Sequence, residues 1–217
     1  GGEMALNTDA IGFVLYARNP RFVTPERAAQ LARRLPPLVT PVLLFVNETA
    51  TNIEAACAHV AGAILQFHGD ETAGQCHAVA QARGRPFWRA ARIPQTAPEG
   101  FDLLEFAQDF SAAQAILLDA HVDGYGGGGK TFDWSRLPPS VPAHLVLSGG
   151  LTPANVSEGL RALRGRGHSL AVDVSSGVEA VGPDGQPRKG IKDAAQIHQF
   201  VAAVRAADAL FAQQTQT

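Results

Sequence analysis

Several residue types and patterns are scarce in this chain of 217 residues, and each absence excludes a class of protein. Only two cysteines occur, Cys57 and Cys76, and both fall in stretches with a helical pattern, so we expect no disulfide framework. No apolar run approaches the roughly 18–20 residues of a membrane span, and there is no basic-then-apolar signal pattern. These absences predict a cytoplasmic protein that does not enter the membrane.

Charge is also low and balanced. Charged residues make up 18% of the chain, and its formal net charge is −2. Proteins that bind nucleic acid or an anionic membrane surface usually carry a basic patch, so we expect neither partner. No group of His, Cys, Asp and Glu has the spacing of metal ligands, and we therefore predict no metal site.

What the sequence does contain is an alternation of short apolar runs and amphipathic stretches. Near-continuous apolar runs are typical of parallel strands that are buried on both faces. The predicted strands are Ala10–Tyr16, Val42–Val46, Gly62–Gln66, Phe87–Ala90, Ala115–Asp119, His144–Ser148 and Leu170–Val174. The predicted helices are Pro25–Leu35, Asn52–His59, Thr72–Arg83, Phe101–Ala107, Trp134–Leu137, Pro153–Leu163 and Asp193–Ala207. Cap signals mark three helix starts: Thr24 before Pro25, Thr152 before Pro153, and Asp193.

Strict alternation of strands and helices predicts an α/β protein with a parallel sheet, which is either closed into a barrel or open. The Gly-x-Gly-x-x-Gly pattern of dinucleotide-binding open sheets does not follow the first strand. Functional side chains instead follow many different strands, as at the carboxyl-terminal face of a (β/α)₈ barrel. We predict a single domain over residues 1–217 with the TIM-type (β/α)₈ fold, in which only seven strands are recognisable.

Acid–base chemistry is indicated at several strand ends. The run Ala115–Asp119 ends in a carboxylate and leads to Gly126–Gly129, an arrangement that suits a proton donor beside a closely approached ligand. Asp173 also lies at a strand end, so opposed environments can leave one carboxyl protonated and the other ionised. His68 follows a third strand. The alternatives are a turn cap for Asp119 and a structural role for His68.

Two late turns and one arginine indicate anion binding. Gly149 and Gly150 follow one strand, and Ser175 and Ser176 follow the next. Glycine lets backbone N–H groups approach a phosphate, and serine hydroxyls add donors, although either turn can equally be a plain connection. Arg21 lies just beyond the first strand, where it either binds a carboxylate or is solvated.

In combination these motifs resemble the phosphoribosylanthranilate isomerase family of tryptophan biosynthesis. The resemblance covers about nine-tenths of the chain. It rests on Asn19–Val23, Leu65–Gly69, Leu117–Asp119, Gly126–Gly129 with Phe132–Trp134, Leu147–Leu151, Asp173–Glu179 and Gly190–Asp193. Gly128 and Phe67 stand where the family usually has threonine and leucine.

The resemblance implies a cofactor-free Amadori rearrangement of a small phosphoribosyl substrate, carried out by a monomer or homodimer. It converts N-(5-phosphoribosyl)anthranilate to 1-(2-carboxyphenylamino)-1-deoxyribulose 5-phosphate, a step of aromatic amino-acid biosynthesis. The matching positions are Asp119 as general acid, Arg21, His68 and Asp173 as substrate-binding residues, and Gly149, Gly150, Ser175 and Ser176 as phosphate-binding residues.

One departure from the family is serious. Family members open with a strand that carries a cysteine as general base, and a helix follows; here only residues 1–8 precede the strand at Ala10. We expect this chain to lack the first strand, most of the first helix and the base. The alternative function is therefore a catalytically inactive barrel that binds a phosphate ligand. A phosphosugar isomerase of the histidine-pathway type is a third possibility, against which Arg21 and the Asp119 segment argue.

Overall fold

The computed structural model describes residues 8–94, 101–120 and 131–214. Within these ranges seven parallel strands form one sheet, in which neighbours in sequence are also neighbours in space. They are β1 (Ala10–Val14), β2 (Thr40–Phe45), β3 (Ile64–Phe67), β4 (Phe87–Ile93), β5 (Ala115–Ala120), β6 (His144–Leu147) and β7 (Ser169–Val172). The seven predicted strands are confirmed, with ends that differ from the prediction by up to three residues.

Helices alternate with the strands as predicted. They are α1 (Pro25–Ala32), α2 (Ala50–His59), α3 (Ala73–Arg83), α4 (Leu103–Asp109), α5 (Val156–Leu163) and α6 (Ala194–Gln214), and the stretch predicted at 134–137 is a short 3₁₀ turn, Trp134–Arg136. Thr24 caps α1 through the backbone N–H of Arg27, and Pro25 is its first residue. No helix in the described part of the chain is long and apolar enough to cross a bilayer.

The two faces of the sheet differ because side chains alternate along each strand. On β3, Leu65 and Phe67 join the large apolar core between the sheet and the helices. The intervening Gln66, like Ala90 and Leu117 on nearby strands, points to the inner face, where a second and smaller apolar cluster lies. The inner face is thus where polar side chains at the strand ends converge.

The sheet is strongly curled. In a flat sheet of seven strands the outer two would lie about 29 Å apart, because six spacings of about 4.8 Å separate them. Here the segment after β1 contacts the segment after β7, with Arg21 Nε 2.6 Å from Glu179 Oε1. The two outer strands are not paired with each other. The fold is therefore of the α/β barrel type, with seven parallel strands among the described residues.

A hairpin after β7 was not predicted. Strands β8 (Glu179–Val181) and β9 (Pro187–Lys192) pair antiparallel around a turn in which Gly182 donates to Gln186 and Gly185 has φ +75°. The turn residues Pro183, Asp184 and Gly185 were a readable signal. Hydrophobic patterning does not reveal this hairpin, because β9 is exposed and polar and has no apolar run.

The predicted start of α5 at Pro153, with Thr152 as its cap, is wrong. The helix begins three residues later, at Val156. The side chain of Asn155 folds back instead, accepting from the Thr152 N–H at 2.8 Å and donating to the carbonyl of Gly150 at 3.0 Å. Residues 153–155 therefore belong to a loop, and the two hydrogen bonds of Asn155 stabilise its shape.

The loops that follow β6 and β7 pack directly on each other. A Cβ built on Gly177 would overlap the backbone carbonyl of Leu151, and it would also press on Thr152. The close approach of the two loops therefore requires glycine at this position. It also brings the two turns that were predicted to bind phosphate next to each other.

We predict that Gly177→Ala lowers the free energy of unfolding by about 1–3 kcal/mol, because one loop must move away from the other. The matched control is Gly74→Ala in α3, where a Cβ meets nothing within 4 Å and alanine favours the helix. Urea titration of both variants measures the difference. Equal stabilities would contradict the close packing of these loops.

Candidate active site

The carboxyl ends of the strands form a rim, and polar side chains from four strands meet on its inner side. Asp119 lies one residue before the end of β5, and His68 directly follows β3. Ser148 directly follows β6, and Asp173 directly follows β7. The topology therefore brings together Asp119, His68 and Asp173, which are far apart in sequence.

Asp119 and His68 form a buried pair. Oδ2 of Asp119 lies 2.8 Å from Nε2 of His68, and each residue is 6% exposed. The other ring nitrogen of His68, Nδ1, lies 3.2 Å from the side-chain nitrogen of Gln66. His68 therefore has a specific acidic partner in Asp119.

Gly149 lies against the second oxygen of Asp119. A Cβ built there would come within 2.6 Å of Asp119 Oδ1 and 2.5 Å of the Ala120 nitrogen, and φ at this residue is +77°. Gly150 also has a positive φ, +64°. Left-handed backbone and close approach both favour glycine here, so the Gly149–Gly150 turn adjoins the acid as well as the predicted phosphate site.

Asp173 is exposed at the edge of the sheet, but the surrounding protein still perturbs it. Ser148 Oγ donates to its Oδ2 at 2.9 Å. Loss of hydration raises the pKa of Asp173 above its ordinary value, the hydrogen bond from Ser148 opposes the rise, and the nearby charge of Asp119 adds to it. Two carboxyl groups of unequal environment thus share the inner face.

Lys192, at the end of β9, organises the turn after β7. Its Nζ donates to the Ser175 carbonyl at 2.6 Å and lies 3.1 Å from Ser175 Oγ. Ser176 begins the short 3₁₀ turn that packs on the loop after β6. The structure therefore places Gly149, Gly150, Ser175 and Ser176 in adjoining loops with a cation beside them.

Arg21 is held by a carboxylate of the protein. Its Nε and Nη2 donate to the two oxygens of Glu179 at 2.6 and 2.9 Å, and the two side chains are 9% and 1% exposed. A guanidinium has five N–H donors, of which this pairing uses two along one edge. The other edge, formed by Nη1 and Nη2, has the geometry to donate two parallel hydrogen bonds to a second carboxylate.

Glu179 collects three donor groups. Besides Arg21, the Gly190 N–H donates at 2.8 Å and Lys192 Nζ lies at 3.4 Å. Burial alone would raise the pKa of Glu179, but the hydrogen bonds from Arg21 and Gly190 and the charge of Lys192 outweigh it and hold the pKa below its ordinary value. Glu179 therefore stays ionised and fixes both cations.

Comparison with known proteins gives this geometry its context. The family model of N-(5'-phosphoribosyl)anthranilate (PRA) isomerase matches residues 3–203. A relative from Leptothrix cholodnii with the name N-(5'-phosphoribosyl)anthranilate isomerase is 55% identical over 206 residues, covering 95% of this chain and 85% of that protein. The chain belongs to the PRA isomerase family. The resemblance seen in the sequence is confirmed.

Solved structures of PRA isomerases are similar in fold. The enzyme from Thermus thermophilus has a TM-score of 0.74 and 28% identity, over 93% of this chain and 90% of that one. A PRA isomerase in complex with reduced 1-(o-carboxyphenylamino)-1-deoxyribulose 5-phosphate has a TM-score of 0.69 and 32% identity, over 93% and 89%.

In this member of the PRA isomerase family, hydrogen bonds and an ion pair connect β2, β3 and β4 near the rim. Glu71 accepts from the backbone N–H of Asn47 at 2.7 Å and of Gly69 at 2.9 Å. Arg89 donates to the carbonyls of Phe67 and Gly69 at 2.9 and 3.0 Å and lies 3.4 Å from Glu71. These buried charges tie three strand ends together.

Sequence reasoning missed Gln66, Glu179 and Lys192 as parts of the site. Gln66 had a signal, since a polar residue two positions before His68 shares its face of the strand. Glu179 and Lys192 lie in two motifs that carry the resemblance, but the hairpin that brings them together was not predicted, so neither was assigned to the site. Gly126–Gly129 and Lys130 lie outside the described residues.

We predict that Glu179→Gln lowers the free energy of unfolding at pH 7 by about 3–5 kcal/mol, because Arg21 loses its buried counter-charge. The depressed pKa of Glu179 makes its contribution full above the ordinary glutamate value, and the contribution is lost as the pH falls through the depressed value. The difference between wild type and variant should therefore shrink below about pH 4.

The control for this measurement is Glu105→Gln, at an exposed position in the first turn of α4. It should change stability by about 0.5 kcal/mol or less. A Glu179→Gln effect that is equally large at pH 3 and pH 7 would show that packing, and not charge, is responsible.

Proposed function

We propose that this protein converts N-(5-phosphoribosyl)anthranilate to 1-(2-carboxyphenylamino)-1-deoxyribulose 5-phosphate in tryptophan biosynthesis. Membership of the PRA isomerase family supports this reaction. The observation that carries the residue assignment is the buried Asp119 at the end of β5, with one oxygen bound to His68 and the other beside Gly149. A carboxyl held in this way can present a single proton to a ligand in the mouth.

Asp119 acts as the general acid. It gives its proton to the ribose ring oxygen, the bond between that oxygen and C1′ breaks, and the nitrogen lone pair forms a C1′=N bond. A base then removes the C2′ proton, and the resulting enol becomes the ketone when C1′ gains a proton and the C2′ hydroxyl loses one. Only protons move in this sequence, so the proposed reaction needs no cofactor. General acid catalysis of this kind is worth about 10²–10⁴-fold in rate.

The two ends of the substrate carry anions that match two parts of the rim. Arg21 binds the anthranilate carboxylate through its free edge, because Glu179 already occupies the other edge. The phosphate lies in the adjoining turns of Gly149–Gly150 and Ser175–Ser176, and Lys192 adds positive charge beside them. Asp173 borders this site and contacts the ribose, and His68 supports Asp119 from behind.

The mechanism also needs a base, and neither of the two cysteines among the described residues is suited to that role. Cys57 lies in α2 and Cys76 in α3, and both are buried in the core around the sheet. Burial raises the pKa of Cys57 and raises that of Cys76 to about 12, which is opposite to what a base needs. We propose that an eighth strand completes the barrel between β1 and β7, and that it presents the base across the mouth from Asp119.

The decisive assay follows the loss of anthranilate fluorescence when the substrate is added to the full-length protein. Turnover is expected, together with binding of the reduced product analogue. Binding without turnover would favour the alternative, an inactive phosphate-ligand barrel. Turnover by the 217-residue chain alone would place the base within its own residues, and the proposal of an eighth strand would then be wrong.

We predict that Asp119→Asn lowers kcat about 10²–10⁴-fold, because an amide cannot supply the proton. Binding of the reduced product analogue should change little, since that ligand requires no proton transfer. The matched control is Asp109→Asn, at an exposed position at the end of α4, which should leave kcat unchanged. A normal kcat for the Asp119 variant would refute its role as the acid.

Other properties stay predictions. We propose a single barrel domain over residues 1–217, a cytoplasmic location, and a monomer or homodimer. The small-molecule substrate and the family support the first two, and sedimentation of the full-length protein would decide the third.

A further inference from the structure

The buried side-chain amide of Gln66 lies on the opposite side of His68 from Asp119, and the reaction described so far gives it no role. Gln66 is on β3, two residues before His68, and is 6% exposed. Its side-chain nitrogen lies 3.2 Å from His68 Nδ1. Among the described residues this is the only hydrogen bond of the Gln66 side chain.

Packing does not account for an amide at this position. The register partners of Gln66 are Leu44 on β2 and Trp88 on β4, both with large apolar surfaces. Burying an amide is unfavourable unless it is hydrogen-bonded, whereas leucine has a similar volume and no such cost. The contact with His68 is therefore what distinguishes glutamine from an apolar residue here.

The donor and acceptor rules fix the direction of each hydrogen bond in this row. With its side-chain nitrogen toward the ring, as the structure orients it, Gln66 donates, so His68 Nδ1 accepts and carries no proton. The single ring proton of His68 then sits on Nε2, which donates to Asp119 Oδ2 at 2.8 Å. Because Oδ2 accepts, Oδ1, the oxygen beside Gly149, is the Asp119 oxygen left to exchange a proton with a ligand.

We propose that Gln66 is a positioning residue that holds His68 in its Nε2–H tautomer and thereby directs the proton of Asp119 toward the substrate. This inference rests on the proposed function for its link to catalysis. The tautomer itself is a property of the resting protein. Gln66 touches neither the acid nor the ligand, and it acts only through His68.

Several charged groups surround Asp119 and set the background for any pH effect. Arg92 is its register partner on β4 and pairs with Asp70 at 3.3 Å. Asp173 and Lys192 approach from β7 and β9. Within the described part of the chain none of these groups hydrogen-bonds to Gln66, and the hydrogen-bonded link from Gln66 to Asp119 runs through the imidazole.

The tautomer is measured directly by ¹⁵N NMR of histidine-labelled protein, with the His68 signals assigned from the His68→Asn variant. We expect a protonated Nε2 and an unprotonated Nδ1 in the wild type near pH 7. In Gln66→Glu the new carboxylate accepts from Nδ1, so the ring should hold both protons. A wild-type ring with its proton on Nδ1 would overturn the inference.

The catalytic consequence is measured from the pH dependence of kcat. An imidazolium beside Asp119 favours the carboxylate over the acid, so the high-pH limb of Gln66→Glu should move down by about one pH unit or more. KM should change much less, since the ligand contacts are intact. The control is Gln81→Glu on the exposed side of α3, which should overlay the wild type.

Gln66→Leu separates positioning from folding. This variant should remain folded, with a urea midpoint below that of the wild type, because leucine leaves the buried His68 Nδ1 without its hydrogen-bond donor. Its kcat should fall several-fold, because both His68 tautomers become accessible, and its pH profile should stay in place. An unchanged kcat in Gln66→Leu, or a Gln66→Glu profile that overlays the wild type, would overturn the inference. Lack of turnover in the wild type with the expected tautomer would instead count against the proposed function.

Discussion

A buried ion pair between Arg21 and Glu179 joins the segments that follow the two outer strands of the sheet. These strands are not paired with each other, so contacts between the segments that follow them connect the two edges at the rim. Buried ion pairs are weak contributors to net stability, because desolvation offsets most of the attraction. The contribution of this pair is geometric, because it fixes the orientation of the remaining donors of Arg21.

Three carboxylates around this mouth differ in their surroundings, and their suitability for different tasks follows from that difference. Glu179 is surrounded by donors and stays ionised as a structural anion. Asp173 is perturbed in the opposite direction by lost hydration and by the charge of Asp119. Asp119 has one oxygen bound by histidine and the other beside a glycine backbone. Residue type alone would not distinguish the three.

Much of this architecture could be predicted from the sequence, because buried parallel strands are continuous apolar runs and their ends carry the polar residues. Asp119, His68 and Arg21 were identifiable for that reason. The β8–β9 hairpin was not, since β9 is exposed and lacks an apolar pattern, and Glu179 and Lys192 were lost with it. The pairing of Arg21 with Glu179 spans 158 positions, and no local pattern encodes such a contact.

The rim is built unevenly, and this has a consequence for how the molecule opens. Around β2, β3 and β4 several hydrogen bonds from Glu71 and Arg89 join neighbouring strand ends. Between β1 and β7 the described connection at the rim runs through Arg21 and Glu179, reinforced by Gly190 and Lys192. Local unfolding proceeds first where cooperative contacts are fewest. Among the described strand ends, the connection between Arg21 and Glu179 is therefore the place where amide exchange should begin, and the substrate proposed to span Arg21 and the turns after β6 and β7 would slow it.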